Sequence, residues 1–297
     1  MRLPYTFLHP YFFSLYFPEW SANCFERLLK KNTKRTPRGP IVLLSDTRGT
    51  PIVERCSLQL KTHGITEGTP LELAKILHPC LEIGRFQPKE DYEALKRLAL
   101  WAVKFTPLVG IEQQHSGLIL NITGTDRVHK GFQTLATRIF RALDGTGITT
   151  RIGGATTLGG AWALGRHGKH PITLSSPSMP RKERALFFAP LPLTALRISE
   201  TTETQLAELG IYTIGDALKL PRKKLALRFG IRFIRALDQL LGDTPEPLLT
   251  VQTPEELCCE KEFDPPLLNR QHIVAEALSI FSAVLTRSQE LHRKPFL

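Results

Sequence analysis

Seven residues from Tyr11 to Phe17, YFFSLYF, are almost all aromatic or aliphatic, and such a run closed by Pro18 predicts a buried strand. A polar stretch with Lys30, Lys31, Lys34, Arg35 and Arg38, ahead of Gly39 and Pro40, reads as a solvated loop, and Ile41 to Leu44 as a second strand. Apolar positions then recur at helical spacing over Leu71–Leu77 and again over Tyr92–Val103. A short strand is expected over Leu118–Ile122, ended by Thr123-Gly124, and an amphipathic helix over Phe132–Leu143. Another strand, near Thr149–Ile152, precedes Gly153-Gly154 and a helix through Ala161, Trp162 and Ala163. Strands and helices alternate to about residue 170, which predicts a mixed sheet with helices packed on it.

After Pro171 the pattern changes. Prolines cluster at positions 171, 177, 180, 190 and 192, and the following apolar segments are short and helical, so a domain boundary is expected there. A second Pro-rich connection runs from Pro245 to Pro254, followed by a strand-like piece and a helix over Ile273–Leu291. Leu278, Phe281 and Leu285 give that helix an apolar face that requires cover. The residues left for this last unit are too few for an ordinary independent core, so it reads as cut short.

Within the helical part, LGIYTIGDALKLP (209 to 221) has the form of a glycine-turned hairpin. Leu206 and Leu209 end one short helix, Gly210 and Gly215 turn the chain, and Asp216 is the expected N-cap of the next helix. Such turns can present backbone N–H groups to a phosphate oxygen, holding DNA without reading its sequence. Many helical bundles have plain Gly-capped turns, so charge matters here. Lys219, Arg222, Lys223, Lys224, Arg228, Arg232 and Arg235 follow with no acidic residue among 219–235. Lys224, Arg228, Arg232 and Arg235 share one face if the helix is unbroken, with Gly230 as a possible reset. The expected DNA-contacting set is Gly210, Ile211, Thr213, Gly215, Lys219, Arg222, Lys223, Lys224 and Arg228.

Bulk properties agree with that expectation. The 297 residues carry 39 basic and 28 acidic side chains, a net +11 that favours a polyanionic partner, nucleic acid being the usual one. The 42% hydrophobic content is that of a globular protein. Cys24, Cys56, Cys80, Cys258 and Cys259 form no C-x-x-C pair, so neither zinc nor a disulfide framework is expected; buried thiols in a reducing cytoplasm are. No apolar run reaches membrane-spanning length. The aromatic start imitates a signal peptide but carries two prolines and no small-residue cleavage site. His115-Ser116 lacks a glycine elbow, and Gly145-x-Gly147 with Gly153-Gly154 does not complete a dinucleotide fingerprint. Trp20, Trp101 and Trp162 read as core rather than as base-stacking platforms.

Several segments, in order, resemble the Y family of lesion-bypass DNA polymerases, and in particular its ImuB-type accessory branch of bacterial mutasomes. VERCSLQLKTHGITEGTPLELAKILHP (53 to 79) is similar to the fingers signature, GLILNITGTDRVHKG (117 to 131) to a palm strand and turn, and RIGGATTLGGAWALGRHG (151 to 168) to the next palm strand and helix. LFFAPLPLTALRI, the hairpin and LALRFGIRFIRALDQLLGDTPEP (225 to 247) resemble the thumb. The resemblance implies an α+β, right-hand architecture. Its parts are a palm with a mixed sheet (1–20 and 88–172), small fingers (21–87), a helix-hairpin-helix thumb (173–248) and a truncated little finger (249–297).

The family's chemistry is another matter. Nucleotidyl transfer uses two hard cations held by carboxylates. The positions aligned with those carboxylates are Leu15, Phe17, Ser116 and Gly117, so no catalytic residue and no metal are expected. The fingers Tyr and Arg positions fall on Leu58 and Lys61, and a palm Lys on Trp162. The resemblance thus implies a non-catalytic DNA-binding adaptor of DNA repair and SOS translesion synthesis. Its implied partners are an error-prone replicative-type polymerase, a RecA-related accessory protein and the sliding clamp, although no clamp-binding peptide is evident. Two alternatives stand beside it. One is an active polymerase in which Glu19 and Glu112 hold Mg2+; the other is a truncated fragment without function.

Overall fold

A computed structural model describes residues 10–47, 50–112, 115–251, 261–263 and 269–292. Compact packing divides the chain into residues 1–251 and 252–297. In the first unit the elements run β1 (Phe12–Tyr16), α1 (Trp20–Thr33), β2 (Ile41–Thr47), β3 (Thr50–Cys56), α2 (Leu58–Lys61), α3 (Leu71–Leu77), β4 (Glu82–Arg85) and α4 (Pro88–Ala102). They continue with β5 (Val109–Ile111), β6 (Gly117–Asn121), α5 (Phe132–Asp144), β7 (Arg151–Ala155), α6 (Leu158–His167) and β8 (Ile172–Leu174). A helical stretch follows: α7 (Arg181–Phe188), a 3-10 turn (Leu193–Leu196), α8 (Glu200–Ala207), α9 (Ile214–Leu218) and α10 (Arg222–Leu241). The second unit contains α11 (Arg270–His292), whose Leu278, Phe281 and Leu285 are exposed.

The main sheet is mixed, as expected, with strand order β5-β6-β1-β7-β8. Its central strand β1 is antiparallel to both neighbours, pairing Leu15 with Leu118 on one side and Ile152 on the other. Only β8 joins in parallel, after the crossover through α6, and it runs across the boundary expected at 172/173. Strand alternation sorts β1 into two faces. Phe13, Leu15 and Phe17 join the apolar core containing Leu98, Leu118 and Ile139 from α4, β6 and α5. Ser14 lies close to Gly165 of α6. Helix α6 sits so close to the sheet that a Cβ on Gly153 would strike the backbone of Ala161 and Gly165. It opens with Thr157, whose hydroxyl accepts from Gly160 N.

A second sheet, β3-β2-β4, carries its own small core of Val42, Val53, Leu60, Ile65 and Ala74. The helices after residue 180 share a third core, built on Phe188, Leu206, Ile214, Leu225, Phe233 and Leu237, which also takes in Ala155 and Ala161. That core therefore binds the helical layer to α6, and Thr157 Oγ1 donates to Leu240 O at 2.9 Å across the contact.

Several expectations are corrected. Lys30 and Lys31 belong to the last turn of α1, where cations favour the helix dipole, and not to a loop. The strand expected at 149–152 begins at Arg151 and includes the two glycines, because Gly153 is needed for close packing against α6. Cys24 and Cys56 are buried, but Cys80 is exposed; Cys258, Cys259 and the strand-like piece after residue 251 lie largely or wholly outside the described residues. Trp20 and Trp162 are core residues, whereas Trp101 is half-buried.

Candidate nucleic-acid interface

The hairpin between α8 and α9 is closed by its own hydrogen bonds. Gly210, with φ of 74°, takes the left-handed turn conformation that favours glycine. Its N–H donates to Ala207 O, and Ile211 N donates to Leu206 O. Ile214 N donates to Leu191 O and Gly215 N to Ala189 O, while Leu193 N donates to Tyr212 O. Thr213 N donates to Asp216 Oδ2 at 3.2 Å. The N-cap of α9 is Thr213, and Asp216 closes a capping box with it rather than capping the helix itself. The Thr213 hydroxyl and N–H hold the Asp216 carboxyl below its ordinary range. The backbone donors expected to meet phosphate, at Gly210, Ile211, Thr213 and Gly215, thus already have partners within the protein.

Side chains remain. Arg222, Lys223, Lys224 and Arg228 are exposed at the start of α10. Arg222 is tied to Asp238 at 2.5 Å and Lys219 to Asp216 at 3.4 Å. Lys223, Lys224 and Arg228 have no acidic partner among the described residues. The helix does not continue straight through the basic run, because Gly230 has φ 81° and ψ 168°. Lys224 and Arg228 therefore lie before the break, and Arg232 and Arg235 after it. The unneutralised cluster nearest the hairpin is Lys223, Lys224 and Arg228, with Leu227 (88% exposed) beside it.

The positions expected from the sequence to match metal-holding carboxylates lie where the end of β1 runs beside the start of β6. Leu15 and Phe17 are fully buried in the core. Tyr16 pairs with Gly117, and a Cβ on Gly117 would come within 2.5 Å of Leu15 O and 2.7 Å of the Glu112 carboxyl carbon. Glu112 and Arg166 form a buried, two-pronged ion pair, with Nη2–Oε2 at 2.5 Å and Nη1–Oε1 at 3.2 Å. Ser14 Oγ donates to Glu112 Oε1 at 3.0 Å, and Arg166 Nη2 donates to Ser116 Oγ at 3.0 Å. The guanidinium lies between two rings, 4.1 Å from the Tyr16 centroid and 4.0 Å from that of Trp162.

Glu19, the other carboxylate considered as a relocated metal ligand, is also engaged. Oε1 accepts from Leu58 N at 2.7 Å and Oε2 from Thr149 Oγ1 at 2.9 Å, so Glu19 ties α2 to the segment before β7. These residues do not fit a pair of hard cations: three of the four aligned side chains offer no oxygen, and the Ser116 hydroxyl faces a guanidinium. Sequence spacing gave no sign of the Glu112–Arg166 pair, because its members are far apart in the chain; a lone acid just before β6 and an Arg at the end of α6 were the only cues.

A polymerase-like hand is what this mixed sheet, small second sheet and hairpin-bearing helical layer define, and solved structures agree. The chain superposes on DinB from Sulfolobus solfataricus with a TM-score of 0.64 at 19% identity, covering 81% of this chain and 69% of that one. It superposes on the insertion ternary complex of Dbh DNA polymerase with a TM-score of 0.63 at 20% identity, over 80% and 69% of the two chains. The fold is that of the Y-family DNA polymerases.

In sequence the chain is 37% identical to protein ImuB of Caulobacter vibrioides over 185 residues, 62% of this chain and 39% of ImuB. It is 25% identical to DNA polymerase IV of Dehalococcoides mccartyi over 254 residues, 83% of this chain and 63% of that protein. The chain is thus Y-family polymerase-like with clear likeness to ImuB, and it spans less than two thirds of either relative's length. No family model matches it. No helix among the described residues is long and apolar enough to cross a membrane.

Proposed function

We propose that this protein is a non-catalytic, polymerase-shaped DNA-binding adaptor in DNA repair and translesion synthesis, of the kind deployed in SOS mutagenesis. One observation carries the reading. The positions that would hold catalytic cations are filled by buried Leu15, buried Phe17 and side-chain-less Gly117, and the nearby carboxylate of Glu112 is paired with Arg166. The likeness to ImuB supports it.

In this reading residues 1–20 and 88–172 act as palm, 21–87 as fingers, 173–248 as thumb and 249–297 as a partial little finger. The thumb grips DNA without reading its sequence. Lys223, Lys224 and Arg228 supply point charges to the phosphates, while the closed hairpin through Gly210, Ile211, Thr213 and Gly215 holds them in place. Lys219 and Arg222 contribute less, being paired with Asp216 and Asp238. Binding of this kind is ionic and weakens with salt through counterion release. An error-prone replicative-type polymerase, a RecA-related accessory protein and the sliding clamp are the proposed partners in the assembly, and the cytoplasm its place. No Mg2+ chemistry is assigned to the chain.

Affinity for primer–template DNA, measured with and without the complementary nucleoside triphosphate and Mg2+, tests the reading. Equal affinity is expected, since Leu58 and Trp162 replace groups that would meet the triphosphate. Tighter binding with only the complementary nucleotide would mean that a working insertion site is present.

A further inference from the structure

We infer that Arg166 is a built-in cation: its guanidinium fills a seat made by Glu112, Tyr16 and Trp162 beside the aligned metal positions, and that seat selects a planar organic cation over a divalent metal ion. The inference deepens the non-catalytic reading and rests on it.

The seat's chemistry makes the choice. A hard cation such as Mg2+ or Mn2+ takes about six oxygens in a near-octahedral shell, waters included, and is anchored by one or two carboxylates whose oxygens are free to coordinate it. Among the described residues, the Glu112 carboxylate and the Ser116 hydroxyl meet the guanidinium, and the Ser14 hydroxyl is already spent on the carboxylate. Aromatic faces close two sides, and they attract a delocalised, weakly hydrated cation far better than a small, strongly hydrated one. The carboxylate takes the guanidinium edge-on through both oxygens, as a planar fork requires.

The seat also reaches the helical layer. The Trp162 ring has a second guanidinium, that of Arg197, 5.7 Å from its centroid. Arg197 is in turn paired with Glu246 through two contacts of 2.5 and 2.7 Å. Acid, guanidinium, indole, guanidinium and acid thus form one connected series from the β5–β6 connection through α6 to the segment after α10. Adding a carboxylate at Gly117 would not reopen the seat to metal, because its Cβ has no room beside Glu112.

Chemical rescue tests the inference. Arg166→Ala empties the seat, and millimolar methylguanidinium is expected to raise its thermal midpoint by a few degrees. The same additive should leave the wild type and Glu112→Gln/Arg166→Ala unmoved, and MnCl2 should rescue neither variant. Should Arg166→Ala not fold, Arg166→Lys replaces it: the retained charge without the planar fork is expected to lower the midpoint, and an unchanged midpoint would overturn the inference. Failed rescue, with no saturable Mn2+ binding to the wild type by electron paramagnetic resonance, would overturn the built-in cation alone. Saturable Mn2+ binding by the wild type that Glu112→Gln abolishes would overturn the non-catalytic reading with it.

Discussion

Replacing Lys223, Lys224 and Arg228 by Ala removes the three cations at the start of α10 that have no acidic partner among the described residues, and leaves buried Leu225 and Phe233 in place. If each meets one phosphate, counterion release assigns them a slope of about −2.7 in log affinity against log salt on duplex DNA. Over a fourfold rise in salt, from roughly 50 to 200 mM, wild-type affinity would then fall by about 40-fold more than that of the triple variant. Fluorescence anisotropy of a labelled primer–template, titrated at four or five salt concentrations, reads the slope directly. The loss should be the same for unrelated DNA sequences, because phosphates carry none. Lys219→Ala and Arg222→Ala serve as controls and should each move the slope by less than one phosphate, their charges being shared with Asp216 and Asp238. An unchanged slope in a triple variant that keeps its circular dichroism spectrum would refute the placement of the DNA grip on α10.

Other expectations follow from the same geometry. Thr213→Ala breaks the capping box of α9 and should lower stability by about 1 kcal/mol in urea unfolding, with little change in salt slope. For the buried pair, Glu112→Gln and Arg166→Met should each lower stability by about 3–5 kcal/mol, the double variant by far less than their sum; additive losses in the cycle would show that the two side chains do not support each other. Asp91 supplies a pH test. Burial raises its carboxyl above the ordinary 3.8, outweighing hydrogen bonds from Ser21 and Cys24, and its Oδ2 has no hydrogen-bond partner among the described residues. The folded state then holds that proton more tightly than the unfolded chain, so stability falls as pH rises through the window between 3.8 and the raised value. Asp91→Asn should accordingly stabilise the protein at pH 7, and the gain should vanish below pH 3.8; a gain independent of pH would contradict the burial effect.

Much of the fold was legible because local patterns coincide with tertiary demands. The Leu71–Leu77 helix matches its expected bounds although only Ala74 of it is buried, and the 132–143 helix differs by one residue, since its Leu135, Ala136, Ile139 and Leu143 meet the core on one face. β3, β4 and β5 left no comparable signal: β4 alternates half-buried and exposed residues, and β5 has three residues. Helix α1 was obscured by its basic end, which looked like loop. At the interface, charge was visible but its availability was not. Nothing in the order of residues says that Asp238 claims Arg222, or that Ala189 and Leu191, folded back from α7, claim the N–H groups of Gly215 and Ile214. The loss of carboxylates could be read one position at a time, whereas the pair that fills the gap joins residues 54 positions apart. Such contacts arise from the sheet register and the close approach of α6, and therefore become visible only in three dimensions.

Primer extension on the same labelled DNA used for binding is the most direct test of the central claim that the protein holds DNA without copying it. With Mg2+ or Mn2+ and all four nucleotides, saturable binding and no templated incorporation are expected. Incorporation that follows the template and is abolished by Glu112→Gln or Glu19→Gln would contradict the claim and assign those carboxylates to catalysis.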